Sequence, residues 1–286
     1  MSFTEQAIIF PCAVENLLGI VAVPEQSKST GVLIIVGGPQ VRVGSHRQFL
    51  LLSRSLAEAG YPVMRFDTRG MGDSTGELHD FEAINKDIAA AIDAFQTNHP
   101  SVERIVLWGL CDAVSASLLY WDATADPRIE GLVLLNPWVR SEATLARTQI
   151  KHYYGQRLLQ AEFWRKFLSG NLGVGKALVD LLGNLKKSRQ QTNQANKTET
   201  QPFQERMLRT MQGFAGPVLI LLSGNDYTAK EFLETVDKDK AWRSVLQRAN
   251  ITQTTLPEAD HTFSSAEWRA RVEEITRQWL DKKAEQ

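Results

Sequence analysis

Short apolar runs rich in β-branched residues alternate along the chain with longer segments whose apolar residues recur every three or four positions. Ala7–Phe10 and Leu17–Val23 lie close enough together to form an antiparallel hairpin. Gly31–Val36 is a continuous apolar run, the pattern of a strand buried on both faces. From Ser45 to Ala59, residues Phe49, Leu52, Leu56 and Ala59 share one helical face, and Gly60 supplies a stop. Pro62–Phe66 reads as the next strand. Phe81–Phe95 reads as the next helix, through Ile84, Ile88, Ala91, Ile92 and Phe95. The strand Arg104–Trp108, a helix from Val114 to Trp121 and the strand Gly131–Leu135 continue the series. Such alternation predicts an α/β fold, a mostly parallel sheet with helices on both faces.

The alternation then stops. Asn136 to Gly213 holds no strand pattern, and Tyr153 to Leu168 sets Tyr154, Leu158, Ala161, Phe163, Trp164, Phe167 and Leu168 on one broad apolar face. Lys186 to Thr200 is polar and low in complexity, too poor in apolar side chains to offset its ordering entropy, so a flexible loop is expected near 186–202. The strands resume with Pro217–Leu222 and Ile251–Leu256, each followed by helical pattern, at Thr228 to Arg248 and from Ser264 to about Lys282. The expected organisation is an eight-stranded core from 1–136 and 214–286, with a helical lid insertion at 137–213 after the sixth strand.

Composition narrows the classes. Of 286 residues 43% are hydrophobic, enough for one large core, and a net charge of -1 gives no reason to expect a nucleic-acid partner. The first residues show no basic, apolar signal pattern, and no run approaches a membrane span, so neither secretion nor stable membrane insertion is expected. Only Cys12 and Cys111 occur, which suits a reducing cytoplasm rather than a disulfide framework. No metal-ligand spacing, dinucleotide fingerprint or phosphate loop is visible, so no cofactor or metal is expected.

The candidate chemistry sits where strands end. Gly109-Leu110-Cys111-Asp112-Ala113 joins a strand to a helix through a turn with small neighbours, the context of a G-x-S-x-G nucleophile elbow with sulfur in place of serine oxygen. Ser223-Gly224-Asn225-Asp226 follows the seventh strand, and Asp260-His261-Thr262-Phe263 the eighth. Sites in open α/β sheets form at the carboxyl ends of strands, so the three segments are expected to meet. A helix amide end and an imidazole beside Cys111 favour its thiolate. His261 is the expected base, and Asp226 the acid that orients it, with Asp260 as the rival acid. The oxyanion hole is expected from the amide of Asp112 and one from the Gly37-Gly38-Pro39-Gln40 loop. Pro39 has no N–H, which leaves Gly38 or Gln40, and Gln40 is favoured.

Other residues carry weaker signals. His46, Trp138, Tyr154 and Trp164 are candidate substrate contacts, although His46 and its neighbour Arg47 equally suit a solvated helix start. His79, His99 and His152 lack a strand-end setting and read as surface or structural, as does Cys12. In Asp67-Thr68-Arg69-Gly70-Met71-Gly72-Asp73-Ser74, Arg69 is expected to pair with Asp67 or Asp73 and pin a structural loop.

Taken together, the G-G-P-Q, D-x-R-G-x-G-D-S, G-x-C-x-A, S-G-x-D and D-H motifs resemble those of lidded α/β-hydrolases of the serine-aminopeptidase-like group. The segment Gly37–Gln40 with Val43–Phe49, plus the cysteine elbow, is similar to the exosortase-A-system-associated hydrolases of bacterial exopolysaccharide and PEP-CTERM loci. The resemblance implies nucleophile, acid and base at Cys111, Asp226 and His261. It implies no substrate.

A thiolate leaves more readily than an alkoxide, so attack on an amide tends to collapse backwards. The expected activity is therefore hydrolysis of small-molecule esters or thioesters through an acyl-enzyme. An acyltransferase using the same triad and a non-catalytic module that keeps the fold are the alternatives. The apolar face of the insertion is open to three uses: roofing an acyl pocket, packing on the core, or meeting a membrane or partner.

Overall fold

The computed structural model describes residues 2–38, 40–140 and 201–284. The chain divides into two units, Met1–Val139 with Pro202–Gln286, and Arg140–Gln201. Residues 141–200, which hold most of the expected insertion and of the loop near 186–202 and include Tyr154, Trp164 and His152, lie outside the described residues.

In the first unit the apolar runs form eight strands: β1 (Phe3–Cys12), β2 (Glu15–Pro24), β3 (Thr30–Ile35), β4 (Val63–Phe66), β5 (Arg104–Leu110), β6 (Ile129–Leu135), β7 (Val218–Ser223) and β8 (Ile251–Leu256). They make one sheet in the order β1-β2-β4-β3-β5-β6-β7-β8. β2 runs antiparallel to both its neighbours, β1 and β4, and every other pair is parallel. The β1–β2 hairpin follows the short Ala13–Val14 turn, and both strands extend beyond their apolar centres because backbone pairing continues into polar flanks.

Seven α-helices cover the sheet among the described residues: α1 (Gln48–Glu58), α2 (Asn85–Asn98), α3 (Asp112–Thr124), α4 (Phe203–Gly213), α5 (Tyr227–Lys238), α6 (Lys240–Leu246) and α7 (Ala266–Ala284). Side chains alternate across a strand, and β3 divides accordingly. Val32 and Ile34 pack with Phe49, Leu52 and Leu56 of α1 and with Val272 and Trp279 of α7. Leu33 and Ile35 face Ile88, Ile92 and Phe95 of α2 and Val114 of α3. Burial on both faces explains why the central strands read as continuous apolar runs rather than alternating ones.

Three local expectations are corrected. The helix expected from Ser45 begins as a 3-10 turn, Ser45–Arg47, because His46 and Arg47 take positive φ (54° and 61°), and the α-helix starts at Gln48. The helical region from Thr228 to Arg248 is two helices, since Asp239 is extended and its carboxylate accepts the Ala241 amide at 2.7 Å, capping a new start. Residues 203–213, placed by pattern in the insertion, form α4 and pack on the core. Thr210 Oγ1 donates to Leu118 O at 2.7 Å, and Asp122 accepts from Arg206 Nε at 3.1 Å and Arg209 Nη2 at 2.7 Å.

Register places the chemistry. Ile35 pairs with Gly109, Leu110 with Leu135, Leu135 with Leu221, and Ser223 with Leu256. The loops that follow β3, β5, β6, β7 and β8 therefore leave the sheet along one edge.

Candidate active site

Cys111 sits between β5 and α3 with φ 64° and ψ -123°, a conformation that costs a non-glycine residue on the order of 1–3 kcal/mol. Its surroundings hold it there. The Cys111 amide donates to Leu135 O at 2.9 Å, and its carbonyl accepts from Val114 N at 3.0 Å and Trp138 N at 3.4 Å. The small neighbours are required by the close crossing of β5 and α3. A Cβ on Gly109 would lie 2.8 Å from the backbone carbon of Ala113. The thiol is half-buried.

His261 lies in the loop between β8 and α7, and its Nδ1 is 3.0 Å from Asp226 Oδ2. Its ring also hydrogen-bonds to Cys111. The hydrogen bond to Asp226 and then that to Cys111 raise the pKa of His261 to about 10, with burial opposing them. Asp226 is 7% exposed and caps α5, accepting the amides of Thr228 at 3.2 Å and Ala229 at 3.1 Å. Burial pushes its carboxyl up, but the bond from His261 and those helix amides outweigh it and hold the group below its ordinary range.

Asp260, the rival acid, is turned to its own loop. Its carboxylate accepts the amides of Thr262 at 3.2 Å and Ser264 at 3.0 Å, and the Ser264 hydroxyl. The structure thus brings Cys111, His261 and Asp226 together and gives Asp260 a turn-holding part.

The loop after β3 differs in detail from expectation. The Gln40 amide donates to Gly38 O at 2.8 Å, and its side-chain oxygen accepts from Ser45 N and Oγ at 3.1 and 3.2 Å. The Gly38 amide reaches toward the elbow and donates to Asp112 Oδ2 at 2.9 Å. His46 is exposed in the 3-10 turn before α1, near enough to Asp260 to act on its charge. Trp138 is half-buried beside the elbow, its carbonyl accepting from Ser115 Oγ at 2.7 Å.

A pocket of about 250 Å³ adjoins this region, with Gly37, Gly38, Asp112, Thr68, His79 and Asp80 among its lining residues. His79, expected as a surface or structural residue, thus lines a cavity. His99 packs edge-on against Phe95 at 6.2 Å, and burial lowers its pKa. Cys12 is buried in the core.

The Arg69 expectation is corrected. Arg69 pairs with Asp87 of α2, Nη2 to Oδ2 at 2.7 Å and its amide to Oδ1 at 2.9 Å. Arg42 reaches into the loop instead, bonding Asp73 at 2.6 Å and the fully buried Asp67 through both side chain and amide. Asp67 is enclosed by the loop that carries Arg69, so its carboxylate faces inward to Arg42.

Sequence reasoning passed over Asn136. It is fully buried at φ 45° directly after β6, donating from Nδ2 to Ser223 Oγ at 2.8 Å and to His261 O at 3.1 Å, and accepting the Ser223 amide at 2.8 Å. Ser223 Oγ donates in turn to Asp260 O at 2.8 Å. This clip ties the ends of β6 and β7 to the histidine loop. Its signal was an asparagine, tolerant of positive φ, ending a buried apolar strand.

Among the described residues no group of three or more His, Cys, Asp or Glu side chains is placed to hold a metal ion, and no helix is long and apolar enough to cross a membrane.

An eight-stranded sheet with one antiparallel strand inside it, and an elbow, an acid and a histidine after its fifth, seventh and eighth strands, defines an α/β-hydrolase. The sequence profile of the serine aminopeptidase S33 family matches residues 28–262, and the chain belongs to that family. It is an enzyme of the α/β-hydrolase class. No curated protein matches it in sequence. Similar solved structures include the esterase Pf2001 of Pyrococcus furiosus, at TM-score 0.63 and 17% identity over 96% of this chain and 91% of that one. Est1E from Butyrivibrio proteoclasticus, solved with ferulic acid bound, gives 0.64 and 16% over 98% and 100%. An alpha-beta serine hydrolase homologue from Coxiella burnetii gives 0.60 and 14% over 98% and 99%. At these identities the likeness is one of fold.

Proposed function

We propose that this protein is a cysteine acyl hydrolase that cleaves small-molecule esters or thioesters through an acyl-enzyme on Cys111. The observation that carries the reading is the run of contacts from Cys111 through the His261 ring to Asp226 Oδ2, 3.0 Å from Nδ1, at a strained elbow on a helix N-terminus. His261 takes the thiol proton as the sulfur attacks, acting as general base.

In the first step the sulfur bonds to the carbonyl carbon and the π pair moves to oxygen, held by the amides of Asp112 and Gly38. The tetrahedral centre collapses as the leaving alcohol or thiol takes the proton of His261. Water then attacks the thioester, gives a proton to His261, and the C–S bond breaks to restore the thiolate. Asp226 keeps the ring oriented and supports its positive charge in both halves.

Two of the structurally similar proteins support an ester substrate, one being named an esterase and the other holding ferulic acid. The likeness of the Gly37–Phe49 segment to exosortase-A-system-associated hydrolases supports a place beside bacterial exopolysaccharide production. Free thiols at Cys12 and Cys111 suit the cytoplasm.

The test is a series of p-nitrophenyl esters and acyl-CoA thioesters of increasing chain length, with Cys111→Ala as control. The reading predicts turnover of at least one series and loss of about a thousandfold or more in the variant. Unchanged activity in Cys111→Ala, or Cys111 alkylation by iodoacetamide no faster than a free cysteine, contradicts it.

A further inference from the structure

Within the acyl-transfer reading, we infer that the side chain of Asp112 is an internal occupant of the oxyanion site, which a substrate carbonyl must displace into the adjoining pocket before Cys111 reacts. The position of an oxyanion is fixed by the nucleophile: it lies beside the sulfur, between the amide of the next residue and one from the loop after β3. In the structure one of those amides already has an acceptor. Gly38 N donates to Asp112 Oδ2 at 2.9 Å, and the amides of Asp112 and Ala113 lie close enough to favour the carboxylate's charge. The fit is close, since a Cβ on Gly37 would lie 2.1 Å from Asp112 Oδ1.

A carboxylate and an oxyanion carry like charge and seek the same donors, so the two cannot occupy the site together. No cation among the described residues forms an ion pair with Asp112. Burial raises its carboxyl pKa against the pull of those amides and of His261, so holding the charge there works against its desolvation. An exit exists. The pocket of about 250 Å³ is lined by Asp112 itself, with Thr68 and His79 among its polar residues and Asp80 as a second carboxylate. A group of roughly the 30 Å³ that one water occupies fits in it easily. Asp112 therefore raises the threshold for reaction, favouring carbonyls whose developing negative charge binds the amides more tightly than a carboxylate does.

The test uses butyraldehyde, which adds reversibly to a reactive thiolate. The S–C bond forms, and the carbonyl π pair becomes an oxyanion that binds at the hole or takes the proton of His261. Its dissociation constant is read as protection of Cys111 from iodoacetamide in wild type, Asp112→Ala and Asp112→Asn, with thermal unfolding confirming that each is folded. Hydrogen bonds to charged groups are worth enough to expect binding about tenfold tighter in Asp112→Ala, with Asp112→Asn between. If Asp112→Ala fails to fold, Asp112→Asn decides, and tighter binding than wild type still supports the inference. Equal or weaker binding in the folded variants, with wild type protected, overturns the inference and leaves the acyl-transfer reading standing. Protection in none of the three overturns both.

Discussion

At the residue scale, the site depends on how one imidazole is held. His261 takes its charge chiefly from Asp226, whose carboxylate is itself fixed by two helix amides. Asp226→Asn keeps the shape and removes the charge, so the pKa of His261 should fall from about 10 toward its ordinary range, read by NMR titration of the ring. Turnover should drop roughly 100-fold or more, because the ring loses its orientation and its support as an imidazolium. An unshifted titration would remove Asp226 from the role. That Cys111, Asp226 and His261 would meet was legible in the sequence because each follows a strand. The choice between Asp226 and Asp260 was not, because adjacency in sequence says nothing of direction. Asp260 precedes the histidine yet points into its own turn. The contact between Gly38 and Asp112 joins loops 74 positions apart, and no local pattern encodes it.

At the scale of elements, the strand ends are bound to one another as firmly as to the sheet. Asn136 joins β6, β7 and the histidine loop through three hydrogen bonds. Asn136→Ala leaves the Ser223 amide and His261 carbonyl without those partners in a buried place. A loss of about 1–3 kcal/mol is expected in urea unfolding, with kcat falling more than KM rises. Full stability together with full activity would show that the clip is dispensable. The periodic strands and helices were legible because burial on one or two faces writes itself into spacing. Their ends were less so. Asp239 broke an apolar helical pattern by capping, and positive φ at His46 and Arg47 delayed α1, both set by backbone geometry rather than by hydrophobic rhythm. The pairing of Arg69 with Asp87 was missed for a similar reason, since the nearer carboxylate in sequence was already enclosed with Arg42.

For the whole molecule, the charged groups set a window of pH. The carboxyls of Glu5, Asp122, Asp126, Asp226, Asp260 and Asp281 are held below their ordinary range in the fold. Their contribution is present above the unfolded carboxyl values, near 4, and is lost as pH falls through the folded ones. Asp112 and Glu273 are raised by burial and act in the opposite sense. On the alkaline side His261 contributes fully below its unfolded value, near 6.5, and its contribution is lost as pH rises through about 10. Denaturant unfolding between pH 6 and pH 10 should therefore show wild type losing stability relative to His261→Gln. Parallel curves would contradict the coupling of His261 to Asp226 and Cys111.

The most direct test of the account is covalent. During turnover of a p-nitrophenyl ester, acid quenching and peptide mass spectrometry should find one acyl group on the peptide carrying Cys111, absent from Cys111→Ala and accumulating in His261→Gln at a reduced rate. Hydrolysis with the acyl group on another residue, or at an undiminished rate in Cys111→Ala, would contradict the assignment of Cys111 as the nucleophile.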